Sequence, residues 1–374
     1  MMLCKLMKGA QNDFIRHSVI SLTDLGPLVD KLIALGVSVE AIGMRRGIPS
    51  PVGCLTLVRR LARLRPTIVQ TWLYHSDLLG GIAARLARCH LVAWNVRGSN
   101  LDRRVKRLSR MTAWTCARLS AVIPTAILCC SRAAARLHVS MGYVESKMVV
   151  IPNGFDLEEF KPNPAERSRF RTELGVAKDR VLIGIAARLD PQKDYPNFFL
   201  AARLLASKCH NVEFLLCGDD VVPDHPFFAR ELAGLDRHRF HLLGRRRDMP
   251  RIMTSLDIGT LSSAYGEAFP NAIGEAMASE VPCVATDVGE TADIIGETGK
   301  VVPPADPAAL AHAWEDLVIA GPEARKTFGR AARERVMSRY QIADIVHLYE
   351  DFYQHLAATP RLSFAESSGQ RATR

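Results

Sequence analysis

Short runs of β-branched and apolar residues alternate with helical patterns along almost the whole chain, and this alternation permits few folds. Two parallel strands need a crossover between them, usually a helix, so repeated strand–helix–strand units specify an α/β fold with parallel sheets. Strands are predicted over 37–42, 67–71, 91–95, 127–130 and 148–151, then over 181–186, 212–217, 240–243, 258–261, 283–286 and 301–302. Helices are predicted over 56–64, 76–88, 101–119, 131–140, 198–207 and 227–233, with a last one over 342–356. Ser131 and Asp248 are candidate helix N-caps, the second with Pro250 in the first turn that follows.

A chain of 374 residues is long for one hydrophobic core. Pro152-Asn153-Gly154-Phe155-Asp156 is turn chemistry and Lys161-Pro162-Asn163-Pro164 reads as loop, which places a domain boundary between them. The expected organisation is an N-terminal domain over 1–157, a C-terminal domain over 158–340, a helix over 341–358 that returns to the first domain, and a disordered Ser/Arg-rich tail over 359–374. Two successive doubly wound series imply two Rossmann-like domains facing each other across a cleft. Such a domain should open with a strand and a glycine-rich turn. The sequence instead begins with a helical pattern, so the first domain is expected to lack both.

No apolar run approaches the length of a membrane span, and Met1-Met2-Leu3-Cys4-Lys5-Leu6 is not a signal peptide. Nine cysteines without metal-ligand spacing fit neither a zinc site nor a disulfide framework, which points to a reducing cytoplasmic location. The net charge of +10 is uneven. Residues 1–160 hold 22 Lys and Arg against 10 Asp and Glu, whereas the remainder holds 27 against 29. The densest basic stretch, Arg103-Arg104-Val105-Lys106-Arg107-Leu108-Ser109-Arg110, runs into the apolar Met111, Trp114 and Leu119. A basic segment with an apolar stripe suits anionic lipid at the inner membrane face or a phosphate-bearing acceptor; a solvated helix face is the bland alternative. Nucleic acid is the competing partner, but the aromatic interleaving of a single-strand binder is thin.

The chemistry concentrates in two turns. After the strand at 181–186 come Ala187-Arg188-Leu189-Asp190-Pro191-Gln192-Lys193-Asp194, with a guanidinium and an ammonium five positions apart. That pair suits a diphosphate, unless Arg188 and Lys193 are tied up structurally by Asp190 or Asp194. After the strand at 258–261 comes Gly266-Glu267-Ala268-Phe269-Pro270-Asn271-Ala272-Ile273-Gly274-Glu275, with Glu267 in a turn and Glu275 inside a helix. An ionised carboxylate is a pure acceptor with several lone-pair sites, which fits a ligand rich in hydroxyls; solvated helix glutamates are the alternative. Asp219-Asp220 reads as loop, since adjacent carboxylates point apart on an extended turn.

The Arg-x4-Lys turn, the Glu-x7-Glu segment, the Pro152–Asp156 linker and Thr286-Asp287-Val288-Gly289 together resemble the retaining glycosyltransferases of the GT-B fold, family four. The resemblance runs in order from about residue 20 to residue 356. It implies that the second domain binds a nucleotide-sugar, with Arg188 and Lys193 on the diphosphate and Glu275 on the ribose. Glu267 would contact the donor sugar, assisted by the backbone amides of Ala268 and Phe269, with Asn271 in support on the helix face of Glu275. The backbone at Gly244 and Arg245 would recognise the base. The family needs no metal or other cofactor, and the chain has no Asp-x-Asp motif. Arg188 and Lys193 would then neutralise the departing diphosphate, with Glu267 completing the catalytic set.

The first domain should bind the acceptor, and here the chain departs from the family. Gly98 stands where members often carry a histidine, which leaves His75 and Arg97 as the acceptor-side candidates. The expected activity is retaining transfer of a sugar, from a UDP-sugar, to a polysaccharide or lipid-linked glycan. Three other readings stay open: an epimerase of the same fold, a nucleotide-sugar-binding protein impaired in catalysis, and a nucleic-acid binder.

Overall fold

A computed structural model of the chain describes residues 2–9, 15–26, 28–45, 47–99 and 107–358 and divides into two compact units. The tail 359–374 and the basic positions 103–106 lie outside the described residues. One unit takes the chain up to Gly154 and again from Ile342; the other is Phe155–Gln341.

The first unit contains α1 (Met2–Gly9), β1 (Ser18–Ser21), α2 (Val29–Ala34), β2 (Ser38–Ala41), α3 (Pro51–Leu64), β3 (Ile68–Gln70), α4 (Tyr74–Leu86), β4 (Leu91–Val96), α5 (Arg107–Leu119), β5 (Ala126–Cys129), α6 (Arg132–Ser140) and β6 (Met148–Val150). Ser131 caps α6 as its sequence suggests, accepting from the Ala134 amide at 3.0 Å. Every strand pairing is parallel, in the order β3-β4-β5-β6, while β1 pairs only with β2. The strands of this unit therefore form two sheets where one doubly wound sheet was expected. β1 and β3 each pair on one side only, and the strand that a doubly wound order would set between them is not among the described strands.

The second unit contains α7 (Pro164–Leu174), β7 (Val181–Ala186), α8 (Tyr195–Lys208), β8 (Val212–Cys217), α9 (Pro226–Glu231), β9 (Phe240–Leu242), α10 (Met249–Ser255), β10 (Ile258–Leu261), α11 (Asn271–Ala278), β11 (Cys283–Thr286), α12 (Thr291–Ile295), β12 (Lys300–Val302), α13 (Pro307–Ile319) and α14 (Gly321–Tyr340). Its sheet has six parallel strands in the order β12-β11-β10-β7-β8-β9. β8, β10 and β11 are buried along their whole length and are mostly apolar; the one charged residue among them, Glu213 of β8, pairs with His241 at 2.7 Å. Asp248 does stand at the start of α10, but its carboxylate makes no cap. It is drawn off by Arg246, whose Nε and Nη2 donate to it at 2.8 and 2.6 Å, a stronger charge-assisted pair.

The last helix, α15 (Ile342–Ala358), belongs to the first unit. Alternate residues of β4 face opposite ways. Leu91 and Ala93 pack with Met2, Leu6, Tyr349, Phe352 and Leu356 of α1 and α15. Val92 and Trp94 pack with Leu57, Ala83, Ala84 and Cys116 of α3, α4 and α5. Helices thus cover both faces of the four-stranded sheet, and its strand ends are left to carry the polar groups.

Candidate functional site

The second sheet reverses direction at β7. The chain builds outward through β8 to β9, then returns to the other flank of β7 with β10 and continues to β11 and β12. Loops leaving the carboxyl ends of two strands at such a reversal diverge and open a crevice. Residues 187–194 leave β7 there and residues 262–270 leave β10, so the two sequence-derived turns meet at this point.

The β7 loop is built by its aspartates. Asp190 accepts from the Gln192 amide at 2.9 Å and starts a short 3-10 turn ending at Lys193. Asp194, left-handed at φ 47°, caps α8 by accepting from the Asn197 amide at 3.3 Å. Burial raises the Asp194 carboxyl above its ordinary pKa, with the Asn197 amide opposing. Asp190 also takes Nε and Nη2 of the half-exposed Arg188 at 3.0 Å each, the structural pairing that the sequence left open.

Lys193 does not pair with either aspartate. Its ammonium donates to Glu267 Oε1, which also accepts from Ser263 Oγ at 2.6 Å. Both charged side chains are nearly buried, at 13% and 8% exposure. A buried ion pair costs desolvation unless further hydrogen bonds hold it, and here the flanking loops are stitched around it. The Ala264 amide donates to Gln192 O at 2.9 Å, Gln192 Nε2 to Gly266 O at 3.0 Å, and Ser262 Oγ to Lys193 O at 2.7 Å. From β11, Thr286 Oγ1 donates to Ser263 O at 2.6 Å. Gly289 sits at φ +69°, and a Cβ there would lie 1.8 Å from Glu267 O, so the loop after β11 presses directly on the Glu267 backbone. Sequence reasoning missed Gln192, Ser263 and Thr286 as parts of the site. Ser262-Ser263, a polar pair ending an apolar run and 0% exposed, was the available signal.

α11 then begins at Asn271 with no side-chain cap on its amino terminus. Glu275 is buried within it at 7% exposure, whereas Asn271, one turn earlier, is exposed. The Phe269 ring packs inward, 6.1 Å from Phe155 and 5.5 Å from Tyr340. Gly244, after β9, donates its N–H to Val221 O at 2.8 Å and accepts from the Gly218 amide at 2.9 Å. Arg245 is exposed and pairs with Asp219 at 3.4 Å. No group of three or more His, Cys, Asp or Glu suited to a metal ion occurs among the described residues. No helix among them is long and apolar enough to cross a membrane.

The remaining candidates lie in the first unit. His75 is half-buried in the first turn of α4, and Arg97 directly follows β4. Near them, Asp77 is fully buried; Thr71 Oγ1 donates to its Oδ1 at 2.5 Å and the Asn95 amide at 3.4 Å. Burial dominates over these two hydrogen bonds and raises the Asp77 pKa to about 7.

Family models match both halves of the chain: one described as Glycosyltransferase Family 4 over residues 2–159, the other as Glycosyl transferases group 1 over residues 180–320. The chain is 27% identical over 237 residues to the UDP-Gal:alpha-D-GlcNAc-diphosphoundecaprenol alpha-1,3-galactosyltransferase of Escherichia coli, covering 63% of this chain and 61% of that protein. It is 27% identical to the lipopolysaccharide core biosynthesis mannosyltransferase LpcC of Rhizobium leguminosarum bv. viciae, over 84% of this chain and 87% of that one. The alignment spans 61% and 52% of the length of two of its curated relatives, the second being the putative glycosyltransferase EpsF of Bacillus subtilis. Among solved structures, Anabaena Alr3699/HepE in complex with UDP-glucose superposes with a TM-score of 0.82 at 21% identity, covering 95% of this chain and 96% of that one.

Proposed function

Matched along both halves by glycosyltransferase models, the chain belongs to the GT-B glycosyltransferases, and on that premise we propose that it transfers a sugar with retention from a UDP-sugar to a lipid-linked or polysaccharide glycan. The observation that carries this reading is the Lys193–Glu267 pair at the reversal of the second sheet, beside the open amino terminus of α11. An ammonium has three donors, so Lys193 can keep Glu267 and still donate to a diphosphate. Arg188, half-exposed on the same loop, supplies a second positive charge. The amides at the start of α11 add a third favourable field for a leaving group that gains negative charge.

Glu267 Oε1 is already engaged by the Lys193 ammonium and the Ser263 hydroxyl, which leaves it poorly placed for covalent attack. Its part is to position hydroxyls of the donor sugar, while the attacking acceptor oxygen enters on the face that the diphosphate leaves. Glu275 takes the ribose hydroxyls. With the Gly244 N–H committed to Val221, the Arg245 backbone is left to meet the base. His75 and Arg97 serve the acceptor.

The amino-terminal part of this reading includes a membrane contact. α5 presents Leu108, Met111 and Trp114 to solvent beside Arg107 and Arg110, a pattern suited to anionic lipid in the cytoplasm. The proposed activity is tested by incubating the protein with a panel of UDP-sugars and following UDP release, with and without polyprenyl-diphosphate-linked glycans. Acceptor-dependent UDP release is the expected result. Sugar isomerisation without acceptor would replace transfer by epimerisation.

A further inference from the structure

Several arginines of this protein have evident structural partners. Some pair with carboxylates, as Arg171 does with Asp257 at 2.8 Å. Others tie down carbonyls at helix carboxyl ends, as Arg325 does with Leu317 O and Arg335 with Ile294 O, each at 2.9 Å. Arg97 does neither. It is half-buried just past the carboxyl end of β4, and its partners among the described residues are neutral side chains from three separate segments. Nη1 donates to Tyr349 Oη at 3.1 Å and to Asn95 Oδ1 at 3.4 Å, Nη2 donates to Asn153 Oδ1, and the plane lies 5.1 Å from the Trp72 ring centroid. These contacts orient the guanidinium without neutralising it, and no carboxylate is among them.

A second positive field lies beside it. α4 is 13 residues long, and its N-cap is Leu73, which offers no side-chain acceptor to the first amides. Leu73 itself stands at φ 73°, a left-handed backbone that a leucine rarely adopts, and its N–H donates a hydrogen bond to Asn95 O at 3.1 Å. The Tyr74 hydroxyl of the same turn reaches Gly98 O at 3.5 Å, so the start of α4 and the segment carrying Arg97 lie side by side. Asp77, in that first turn, is turned inward to Thr71 and Asn95. An oriented cation and an open helix amino terminus at one sheet edge form an anion site.

We propose that Arg97 and the amino terminus of α4 form a phosphate subsite that receives the phosphate or diphosphate linkage of the acceptor. The inference rests on the reading of the first unit as the acceptor side. It narrows the acceptor class to glycans carried on phosphate, and it predicts that a neutral glycan of the same sugars is a poor substrate.

The test is calorimetric titration of inorganic pyrophosphate into the full chain, with and without saturating UDP, for the wild type, Arg97→Gln and Ser76→Asp. The second variant leaves Arg97 and its supports intact. An acid in the first helical turn favours the helix, so Ser76→Asp folds while opposing an incoming anion. Pyrophosphate should bind the UDP-saturated wild type, and both variants should weaken it by about tenfold or more while UDP affinity stays within about twofold. Equal pyrophosphate affinity in all three proteins, or none in the UDP-saturated wild type up to about 10 mM, overturns the subsite. If both variants weaken UDP itself, the oxyanion belongs to the donor and the acceptor assignment falls. Failure of UDP to bind at all would instead remove the proposed activity, and the comparison of pyrophosphate affinities would still decide the subsite.

Discussion

Lys193 and Glu267, 74 positions apart, form a nearly buried ion pair that joins the loops on either side of the sheet reversal. Because both are held in place before any donor arrives, their substitutions should separate. Lys193→Ala removes charge that opposes the developing diphosphate and strands Glu267, so turnover should fall about 100-fold or more. Glu267→Gln keeps the shape and should cost kcat more than UDP affinity. Steady-state kinetics beside UDP titration checks this; equal loss of both in Glu267→Gln would make the residue a binding group only.

Gly289→Ala places a methyl against Glu267 O and forces an L-residue into left-handed backbone. The backbone alone costs about 1–2 kcal/mol. The clash must be relieved by moving the Glu267 loop. Thermal unfolding should show a lowered midpoint, and kcat should drop even in the fraction that stays folded. Unchanged kcat would mean that the contact does not hold Glu267.

Asp77 should make stability fall as pH rises. Its pKa is about 7 in the fold and about 4 in the unfolded chain, so between these values the native state binds the extra proton. The contribution is complete below pH ~4 and lost on passing pH ~7, each pH unit of the window costing at most about 1.4 kcal/mol. Urea unfolding at pH 5 and pH 8 should show this loss in the wild type and not in Asp77→Asn. An identical pH response in the two proteins would place the titration elsewhere.

Trp114 stands half-exposed on α5 with the Arg118 guanidinium 4.0 Å from its ring centroid. Trp114→Glu should leave folding intact and reduce co-sedimentation with phosphatidylglycerol vesicles several-fold. Equal binding of the wild type to anionic and neutral vesicles would sink the membrane contact.

The inner strands of the second unit were legible to the residue. β7, β8, β10 and β11 coincide with the predicted runs because burial keeps them mostly apolar, with Glu213 the one charged residue among them. α7 was read as loop at its start and not recognised beyond it, since Phe170 is its one buried apolar side chain and no apolar stripe marks it. Asn163 before Pro164 was the usable signal: its side chain caps the Glu166 amide at 3.0 Å. Asp306 before Pro307 marks α13 in the same way. At the site, the residue types in both turns were legible but their pairing was not. That Lys193 meets Glu267 rather than an aspartate of its own loop follows from strand order, which a linear pattern does not carry. The support of Arg97 by Tyr349, 252 positions away, was invisible for the same reason.

The central claim is that the loops of β7 and β10 hold a nucleoside diphosphate. Its most direct test is calorimetric titration of UDP into the wild type and the Arg188→Ala/Lys193→Ala double variant, with a chelator present. The wild type should bind one UDP with a Kd of about 1 mM or tighter, and the double variant about 30-fold more weakly or not at all. No binding to the wild type, or equal affinity in the two proteins, would contradict it.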